Sequence, residues 1–327
     1  MAHDPRTVLP SRPLADPLRV AFFGTPALAV PTLNALLARP DLCEVVAVVA
    51  QPDKPAGRGN KLRSPPTAQR AKELGIPLHQ PRKVRSGAFP EAVEAMDLDV
   101  AVVIAYGRIL TTRLLEAPRY GCVNVHASLL PAWRGAGPIQ WALANGDPVT
   151  GVTTMWMEEG LDTGPMLLVE DEPIRDDDTA STLGQRLGDL GARLLVRTLE
   201  ELKAGRLTAT PQPDEGVSLA PLLTKEDGQL DFTKPARRVS AHARGMTPWP
   251  GATCRYRGRT LKVHGIEVVD GVSGEPGTVL STDKELVVAC GEGAVRLTKV
   301  QPPGKRALPA ADFLNGYPVE PGESLAF

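Results

Sequence analysis

Four short apolar runs in the first half of the chain constrain its fold more than any other feature. Each run is almost continuously apolar, which is typical of strands covered on both faces in a parallel sheet. The runs are LRVAFFGT, CEVVAVVA, DVAVVIAY and GCVNVHAS, at residues 18–25, 43–50, 99–106 and 121–128. Helical patterns such as PTAQRAKELG and RILTTRLLEAP separate them. This alternation predicts an α/β domain with a doubly wound, mostly parallel, Rossmann-like sheet.

The pattern changes towards the second half of the chain. The amphipathic segment DDTASTLGQRLGDLGARLLVRTLEELKAG predicts a long helix that Asp178 caps and Gly205 ends. A polar, proline-rich stretch follows and is typical of an interdomain linker. Short β-like runs separated by glycine-containing turns then predict a small OB-like β-barrel. The expected segments are a flexible N-terminal extension at 1–18, the α/β domain at 19–205, a linker at 206–221 and the OB-like domain at 222–327.

Composition excludes several classes of protein. A chain of 327 residues, of which 42% are hydrophobic, can bury two cores and is not expected to be disordered. Its four cysteines are far apart and form no C-x-x-C pair, so we expect neither a metal site nor a disulfide framework. No apolar run approaches the roughly 20 residues that span a bilayer, and the N-terminus lacks the apolar core of a signal peptide. A cytoplasmic protein without a membrane anchor is therefore expected.

Basic side chains are concentrated in two segments, although the net charge is only -1. Residues 54–72 contain six basic and no acidic side chains, and residues 237–262 contain seven basic and no acidic ones. Such runs are usually solvated surface. Two of them in different domains favour an extended anionic partner, of which RNA and DNA are the obvious class.

Two polar residues, Asn124 and His126, interrupt the fourth apolar run. Because side chains alternate along a strand, both point to the same face, near the carboxyl end where open α/β sheets bind ligands. Asp162, in the glycine-flanked loop GLDTG, is a third candidate. Satisfied polar groups under a helix and an ordinary turn-forming Asp would give the same patterns. Together, however, an Asn, a His and an Asp can form an acid–base site with an oxyanion donor. Spacing alone leaves open whether the loop reaches His126.

Several motifs together resemble the methionyl-tRNA formyltransferase family, over nearly the whole chain after Leu18. They are FFGTP, QPDKPAGRG, NVHASLLPAWRGAGPIQ, GLDTG and TPWPGATCRY. The Asn-x-His and Ser-Leu-Leu-Pro pattern is shared by the wider superfamily of 10-formyltetrahydrofolate-dependent formyltransferases and hydrolases. The segment QPDKPAGRGNKLR at residues 51–63 is similar to an insertion loop of the tRNA enzymes.

The resemblance implies a reaction and roles for the three candidates. A formyl group would move from N10 of 10-formyltetrahydrofolate to the α-amino group of methionine on initiator tRNA, in support of translation initiation. Asn124 would donate to the oxyanion. His126 would be a second donor or the acid that protonates N10, and Asp162 would orient His126 or a water molecule.

The resemblance also implies binding residues and partners. The folate, bound as formyl donor without a metal, would lie against the turn Ser128, Leu129, Leu130 and Pro131, with Tyr106 and Gly107 as further candidates for the pterin pocket. Initiator methionyl-tRNA would bind through its acceptor arm, with Arg58 near the amino-acid end, and a monomer is expected. The expected tRNA-binding side chains are Lys54, Arg58, Lys61, Arg63, Arg255 and Arg257.

Four alternatives stay open or are disfavoured. A related formyltransferase acting on a sugar-nucleotide amine, or a formyltetrahydrofolate hydrolase, would use the same three residues, although the segment 51–63 argues against both. A dinucleotide-dependent oxidoreductase is disfavoured because FFGTPALAV lacks the G-x-G-x-x-G pattern. A non-enzymatic nucleic-acid-binding protein leaves the three polar candidates unexplained. A serine hydrolase is disfavoured because the chain contains no G-x-S-x-G.

Overall fold

The computed structural model describes residues 16–56, 61–283 and 285–327. Most of the expected N-terminal extension, and Arg58 of the expected tRNA-binding set, lie outside these described residues. The chain divides into two compact units, and the predicted domain limits stay a prediction. The first unit contains the chain up to Pro138, Val149–Pro173 and Gly184–Pro221, and the second contains Ile139–Pro148, Ile174–Leu183 and Leu222–Phe327.

Strands and helices alternate through the first two thirds of the chain. The strands are β1 Leu18–Gly24, β2 Cys43–Val49, β3 Lys54–Ala56, β4 Lys61–Arg63, β5 Leu78–His79, β6 Val100–Ile104, β7 Cys122–His126, β8 Arg134–Gly135, β9 Val149–Trp156, β10 Met166–Pro173 and β11 Leu219–Ala220. The helices are α1 Val30–Leu37, α2 Pro66–Leu74, α3 Ala88–Glu94, α4 Thr112–Leu115, α5 Pro138–Ala144 and α6 Ala180–Lys203.

The main sheet of the first unit has seven strands in the order β10-β9-β7-β6-β1-β2-β5. Neighbouring strands from β7 to β5 pair in parallel, whereas β9 is antiparallel to β7 and to β10. The direction in which strands are added reverses between β1 and β6, and ligands of such sheets bind at the carboxyl ends beside this reversal. The predicted Rossmann-like α/β domain is confirmed.

Aromatic packing fixes the ends of the central strands. Every residue of β6 and β7 is buried. The rings of Phe23, at the end of β1, and Tyr106, just after β6, pack edge to face with centroids 5.5 Å apart. Phe89 and Leu114 belong to the same buried cluster. Burying one such side chain stabilises the fold by about 1.5–3 kcal/mol, so this packing holds the carboxyl ends of β1 and β6 in place.

The long predicted helix is present as α6, but its N-cap differs from the expectation. The Thr182 N–H donates to Thr179 Oγ1 at 3.3 Å, so Thr179 caps the helix. Asp178 instead accepts from the Arg175 N–H at 2.8 Å and from the Thr182 hydroxyl at 2.9 Å. The expected cap is wrong by one residue because the Asp178 carboxylate folds the preceding turn. The side chains of the apolar face are buried: Leu183, Leu187, Leu190, Leu194 and Leu202.

Residues 210–220, in the segment expected to be a linker, lie along the first unit, and we call them the strap. Thr210 and Met166 exchange two backbone hydrogen bonds of 2.8 Å. Strand β11 pairs in parallel with β8, and Ala220 O accepts from the Ala136 N–H at 2.8 Å. The strap is therefore part of the first unit's hydrogen-bond network rather than a free connection.

The second unit is built on an antiparallel sheet. Its strands are β12 Ala252–Tyr256, β13 Arg259–Val269, β14 Val279–Ser281, β15 Leu286–Ala289, β16 Ala294–Gln301 and β17 Leu308–Pro309, and its further helices are α7 Ala236–Gly245 and α8 Ala310–Gly316. The strand order is β12-β13-β16-β15-β14, with β17 paired to β16. The sequence pattern predicts neither α7 nor α8.

The C-terminal segment joins the two strands at the ends of this order. On the β12 side, the Arg255 N–H donates to Leu325 O at 2.8 Å. On the β14 side, the Leu325 N–H donates to Gly277 O at 2.8 Å, and the Val279 N–H donates to Glu323 O at 2.9 Å. Leu325 is fully buried. The sheet is thus closed through the chain terminus, which confirms the predicted barrel-like β domain.

Among the described residues, no helix is long and apolar enough to cross a membrane.

Candidate active site

Asn124 and His126 lie on β7, between β6 and β9. In the register of β7 with β9, Asn124 is opposite Met155 and His126 is opposite Thr153. The two polar side chains are 7% and 5% exposed, so each needs hydrogen-bond partners inside the protein. Their spacing of two places them on one face of the sheet, as predicted.

Asp162 lies in the loop between β9 and β10, which folds back towards β7. A Cβ at Gly164 would lie 1.9 Å from Trp156 O, so the close return of this loop needs glycine there. Asn124 Nδ2 donates to Asp162 Oδ1 at 3.2 Å. His126 Nδ1 is 3.7 Å from Asp162 Oδ2. The structure therefore brings the three predicted side chains together, which sequence spacing had left open.

The backbone of Gly135 supplies a further partner for the carboxylate. Its N–H donates to Asp162 Oδ2 at 2.8 Å, and hydrogen bonds to an ionised group are stronger than those between neutral groups. Gly135 has a φ of 127°, and a Cβ there would lie 2.5 Å from Ala220 O in the strap. Only glycine fits this close approach. Gly135 is not among the residues predicted from sequence, and the two glycines of WRGAG are the signal that could have pointed to a special backbone there.

The tautomer of His126 follows from its main-chain partner. His126 Nε2 is 2.9 Å from Trp133 O. A carbonyl oxygen only accepts, so Nε2 carries a proton and donates it to Trp133 O. Nδ1 is then the nitrogen that faces Asp162 and that can gain or lose a proton. This contact also shows that Trp133, which the sequence analysis did not assign, orients the imidazole through its backbone.

Left-handed backbone is concentrated around the site. Among the described non-glycine residues five have a positive φ, and three of these border the site. They are Ala105 at 46°, Trp133 at 61° and Asp162 at 52°. Such a conformation costs on the order of 1–3 kcal/mol and persists only where surrounding contacts impose it, as happens at functional sites.

The turn after β7 is held from β9. Thr153 Oγ1 donates to Ser128 O at 2.8 Å and accepts from the Leu130 N–H at 3.1 Å. The Ser128 hydroxyl donates to Ala132 O at 2.6 Å, so it is used within the turn. Leu129 and Pro131, the other two expected folate-binding residues, are half-buried. These hydrogen bonds hold the turn, which begins two residues after His126, and its contact with a folate stays a prediction.

Tyr106 and Gly107, the further candidates for the pterin pocket, differ in what they offer. The Tyr106 ring lies in the core, and burial raises the pKa of its hydroxyl to about 12. Tyr106 O accepts from the Thr25 hydroxyl at 3.0 Å and from Gln51 Nε2 at 2.9 Å. Gly107 is exposed. The Tyr106 side chain is therefore unavailable to a ligand in this structure, and any contribution from this strand end comes from the backbone.

Strands β3 and β4, at the start of the first basic segment, pair antiparallel, and we call these two strands the hairpin. The Lys54 ammonium donates to Gln51 Oε1 at 2.8 Å, while Lys61 and Arg63 are exposed. At the base of the hairpin, Asp53 accepts from Gln80 Nε2 at 2.7 Å and from the hydroxyl of Ser64, just after β4, at 2.8 Å. These hydrogen bonds, that from Gln80 first, lower the pKa of Asp53, so this carboxylate links both ends of the hairpin.

The two expected tRNA-binding arginines of the second unit already have partners. The Arg255 guanidinium lies 5.3 Å from the centroid of the Phe327 ring. Arg257 forms an ion pair of 2.9 Å with Glu323. Both contacts are at the surface, where an ion pair is typically worth about 0–1 kcal/mol. Within the described residues, no group of three His, Cys, Asp or Glu side chains could hold a metal ion.

Known proteins match both parts of the chain. The formyl transferase family model matches residues 18–199, and the model of the formyl transferase C-terminal domain matches residues 222–318. The methionyl-tRNA formyltransferase of Myxococcus xanthus is 50% identical over 305 residues, covering 93% of this chain and 96% of that protein. The corresponding protein of Parvibaculum lavamentivorans is 47% identical, covering 94% of this chain and 100% of that protein. The chain belongs to the methionyl-tRNA formyltransferase family. The predicted family is confirmed.

Two solved structures with low sequence identity share the fold. The N-formyltransferase from Helicobacter canadensis, solved with folinic acid and dTDP-3-aminofucose, has a TM-score of 0.65 at 16% identity, covering 86% of this chain and 99% of that chain. HypX from Aquifex aeolicus, solved with tetrahydrofolic acid, has a TM-score of 0.62 at 17% identity, covering 95% of this chain and 51% of that chain. At such low identity, the likeness between this chain and the two structures shows a shared fold and no shared function.

Proposed function

We propose that the protein transfers a formyl group from N10 of 10-formyltetrahydrofolate to the α-amino group of methionyl-initiator tRNA, and so supports translation initiation. The observation that carries the proposal is the placement of the Asp162 carboxylate against Asn124 Nδ2 and 3.7 Å from His126 Nδ1. Relatives named methionyl-tRNA formyltransferase, at up to 50% identity, support the choice of acceptor. We propose that the protein acts in the cytoplasm and as a monomer.

The attacking amine needs little activation. An α-amino group has a pKa of about 7.7–8.0, and esterification of the amino acid lowers it further, so much of it is neutral at physiological pH. Its nitrogen forms a bond to the formyl carbon, and the formyl oxygen becomes an oxyanion. The demanding steps are to stabilise this oxyanion and to protonate N10 as its bond to the carbon breaks.

Asn124 suits the first of these steps. Its amide has two N–H groups, of which one is used on Asp162 Oδ1 at 3.2 Å. The second N–H is then available to the oxyanion, held in place by the first hydrogen bond. One pre-positioned oxyanion donor is worth roughly 10²–10³-fold in rate.

His126 suits the second step. Its ring is oriented by the 2.9 Å hydrogen bond from Nε2 to Trp133 O, which leaves Nδ1 for proton transfer. Nδ1 can take the proton that the attacking amine loses and pass it to N10. The Asp162 carboxylate, held by the Gly135 N–H, would stabilise the imidazolium that exists between the two transfers.

The basic side chains provide for the second substrate. We propose that four basic residues of the segment 51–63 bind the tRNA acceptor arm near the amino-acid end: Lys54, Arg58, Lys61 and Arg63. We propose that Arg255 and Arg257 bind its phosphates. Arginine donates bidentately to phosphates and to base edges, which suits this role. Binding of this kind weakens steeply as the salt concentration rises.

One assay tests the proposal. The purified protein is incubated with 10-formyltetrahydrofolate and either initiator or elongator methionyl-tRNA, and the product mass is measured. We expect formyl-methionine on the initiator tRNA above all. A dTDP-amino sugar and buffer alone are the control acceptors. Formylation of the sugar, or formate release without any amine, would replace the proposal with the related transferase or the hydrolase.

A further inference from the structure

The strap, residues 210–220, is bonded to both loops that build the site. Its Ser218 accepts from the Trp133 N–H through Oγ at 2.9 Å and from the Arg134 N–H through its backbone oxygen at 2.9 Å. Trp133 O is the acceptor that orients His126. The strap thus fixes the backbone on which the imidazole depends, although its polar, proline-rich composition suggests only a linker.

Gln212 connects the second loop to the strap. Its Nε2 donates to Asp162 O and to Gly164 O, both at 2.8 Å. Its Oε1 accepts from Arg134 Nε at 2.9 Å and from Arg134 Nη2 at 2.7 Å. A glutamine amide has two donors and two acceptor positions, so all of its hydrogen-bonding capacity is used.

The orientation of this amide follows from its neighbours. The Arg134 guanidinium has only donors, so it requires the oxygen of Gln212 on its side. The carbonyl oxygens of Asp162 and Gly164 only accept, so they require the amide nitrogen on theirs. Reversing the amide would lose all four hydrogen bonds. Gln212 therefore joins the loop that carries the carboxylate to β8, where the Gly135 N–H donates to that same carboxylate.

We propose that Gln212 is a positioning residue, which holds the Asp162 carboxylate between Asn124 and His126. Asp162 has a φ of 52° in a loop bordered by glycines, and such a conformation relaxes unless its surroundings impose it. A displacement of about 1 Å of a catalytic group can cost about 10²-fold in rate. The proposal rests on the proposed function of Asp162, and Gln212 acts through that residue rather than on a substrate.

The first experiment compares Gln212→Met with Glu215→Met. Methionine has a similar volume to glutamine but removes the four hydrogen bonds, and Glu215 is an exposed residue of the same strap. We expect Gln212→Met to lower kcat about 10–100-fold. KM for both substrates should stay within about twofold, since an interaction that matters only in the transition state is lost. Glu215→Met should behave as wild type. Wild-type kcat in Gln212→Met, or a rise in KM alone, would overturn the proposal.

The second experiment is a double-mutant cycle with Asp162→Asn. If Gln212 acts by placing the carboxylate, Gln212→Met should cause almost no further loss once the carboxylate is gone. An equal loss in both backgrounds would show that Gln212 acts independently of Asp162 and would overturn the proposal. Melting temperatures of all variants separate these effects from unfolding.

A further variant covers the case in which Gln212→Met does not fold. Gln212→Glu keeps two acceptors for Arg134 but cannot donate to the carbonyl oxygens of Asp162 and Gly164. It should lose kcat as Gln212→Met does, and full activity of a folded Gln212→Glu would contradict the proposal. All variants are measured with whichever acceptor the wild-type protein formylates, so a wrong acceptor and a wrong role for Gln212 give different results.

Discussion

Two histidines, one in each unit, each bond a main-chain carbonyl oxygen through Nε2, but the groups around their rings differ. His126 Nε2 is 2.9 Å from Trp133 O, and His242 Nε2 is 2.7 Å from Asp227 O. The second nitrogen of His126 faces the Asp162 carboxylate at 3.7 Å. Asp227 instead presents its backbone to His242, because its carboxylate accepts from the Thr224 N–H and hydroxyl at 2.6 and 2.8 Å. Burial lowers the pKa of His242.

This difference separates a histidine suited to proton transfer from one suited to structure. A carboxylate beside the free nitrogen stabilises the imidazolium during a reaction. Desolvation without such a partner favours the neutral ring, which then serves as a hydrogen-bond donor within the fold. We infer that His242 holds α7 to the preceding turn and that His126 carries out chemistry. The hydrogen bond from Nε2 to a carbonyl oxygen is common to both histidines, so it does not distinguish their roles.

The same substitution at both positions gives the largest expected contrast. His126→Gln should lower kcat about 10²–10⁴-fold, because glutamine cannot exchange a proton at neutral pH. His242→Gln should keep kcat within about twofold, because the glutamine amide can still donate to Asp227 O. The measurement is formylation of methionyl-tRNA with both substrates saturating. Melting temperatures of the two variants serve as the folding control. An equal loss in both variants, or normal turnover of His126→Gln, would remove the distinction.

Removing the Asp162 carboxylate should leave His126, like His242, without a carboxylate facing its second ring nitrogen. Asp162→Asn keeps an oxygen for the Gly135 N–H but no charge beside the imidazole. We expect kcat to fall at least about 10²-fold with little change in melting temperature. Glu159→Gln, in the same loop, removes a carboxylate that accepts from Thr112 and should leave kcat unchanged. If both variants lost activity alike, the net charge of the loop rather than the Asp162–His126 contact would be responsible.

Local pattern was enough to predict the four central strands of the main sheet. The near-continuous apolar runs of β1, β2, β6 and β7 identify buried parallel strands, and alternation within β7 places Asn124 and His126 on one face. The segment RILTTRLLEAP forms only the short α4, because one turn already buries Leu114 and Leu115 and Pro118 follows soon after. Helix α7 was missed, since three arginines surround an apolar face of small residues, with Val239 and Ala243 buried.

Long-range backbone contacts could not be predicted. The fold-back of Asp162 onto β7 spans 38 residues, and no periodicity encodes such a distance. The sequence did not show that the strap lies along the first unit, because many of its hydrogen bonds join main-chain atoms, which any sequence supplies. Only the Gln212 and Ser218 side chains carried specific information, and one chain alone does not show which polar residues of a loop have long-range partners.

Two adjacent threonines on β9, Thr153 and Thr154, point to opposite faces of the sheet. One of them contacts the candidate site and the other contacts the core. Thr153 braces the turn after β7, whereas Thr154 bonds Thr198 Oγ1 at 2.9 Å and accepts from the Leu168 N–H at 3.1 Å. Changing either to Val leaves buried polar groups unpaired and should cost about 1–3 kcal/mol of stability.

Only the substitution that loosens the turn should affect the formyl donor. Thr153→Val should raise KM for the donor roughly 3–10-fold, equivalent to about 0.7–1.4 kcal/mol. Thr154→Val should leave that KM unchanged. Chemical denaturation gives the stabilities, and initial rates at varied donor concentration give KM. An identical KM in the two variants would argue against a folate site at the Ser128–Pro131 turn.

The smallest expected effect is the pH dependence that His242 contributes to stability. Because burial lowers its pKa below the ordinary 6.5, the unfolded chain takes up a proton at a higher pH than the folded chain does. Stability rises with pH wherever the unfolded state binds more protons, so the contribution of His242 is complete above about pH 6.5 and is lost as the pH falls towards the folded pKa. Urea unfolding of wild type and His242→Gln at several pH values isolates this contribution, because the other titrating groups cancel in the difference. The wild-type advantage should shrink below about pH 6.5. Parallel curves for the two proteins would show that His242 titrates alike in both states, and its structural role would then have to rest on the Asp227 hydrogen bond alone.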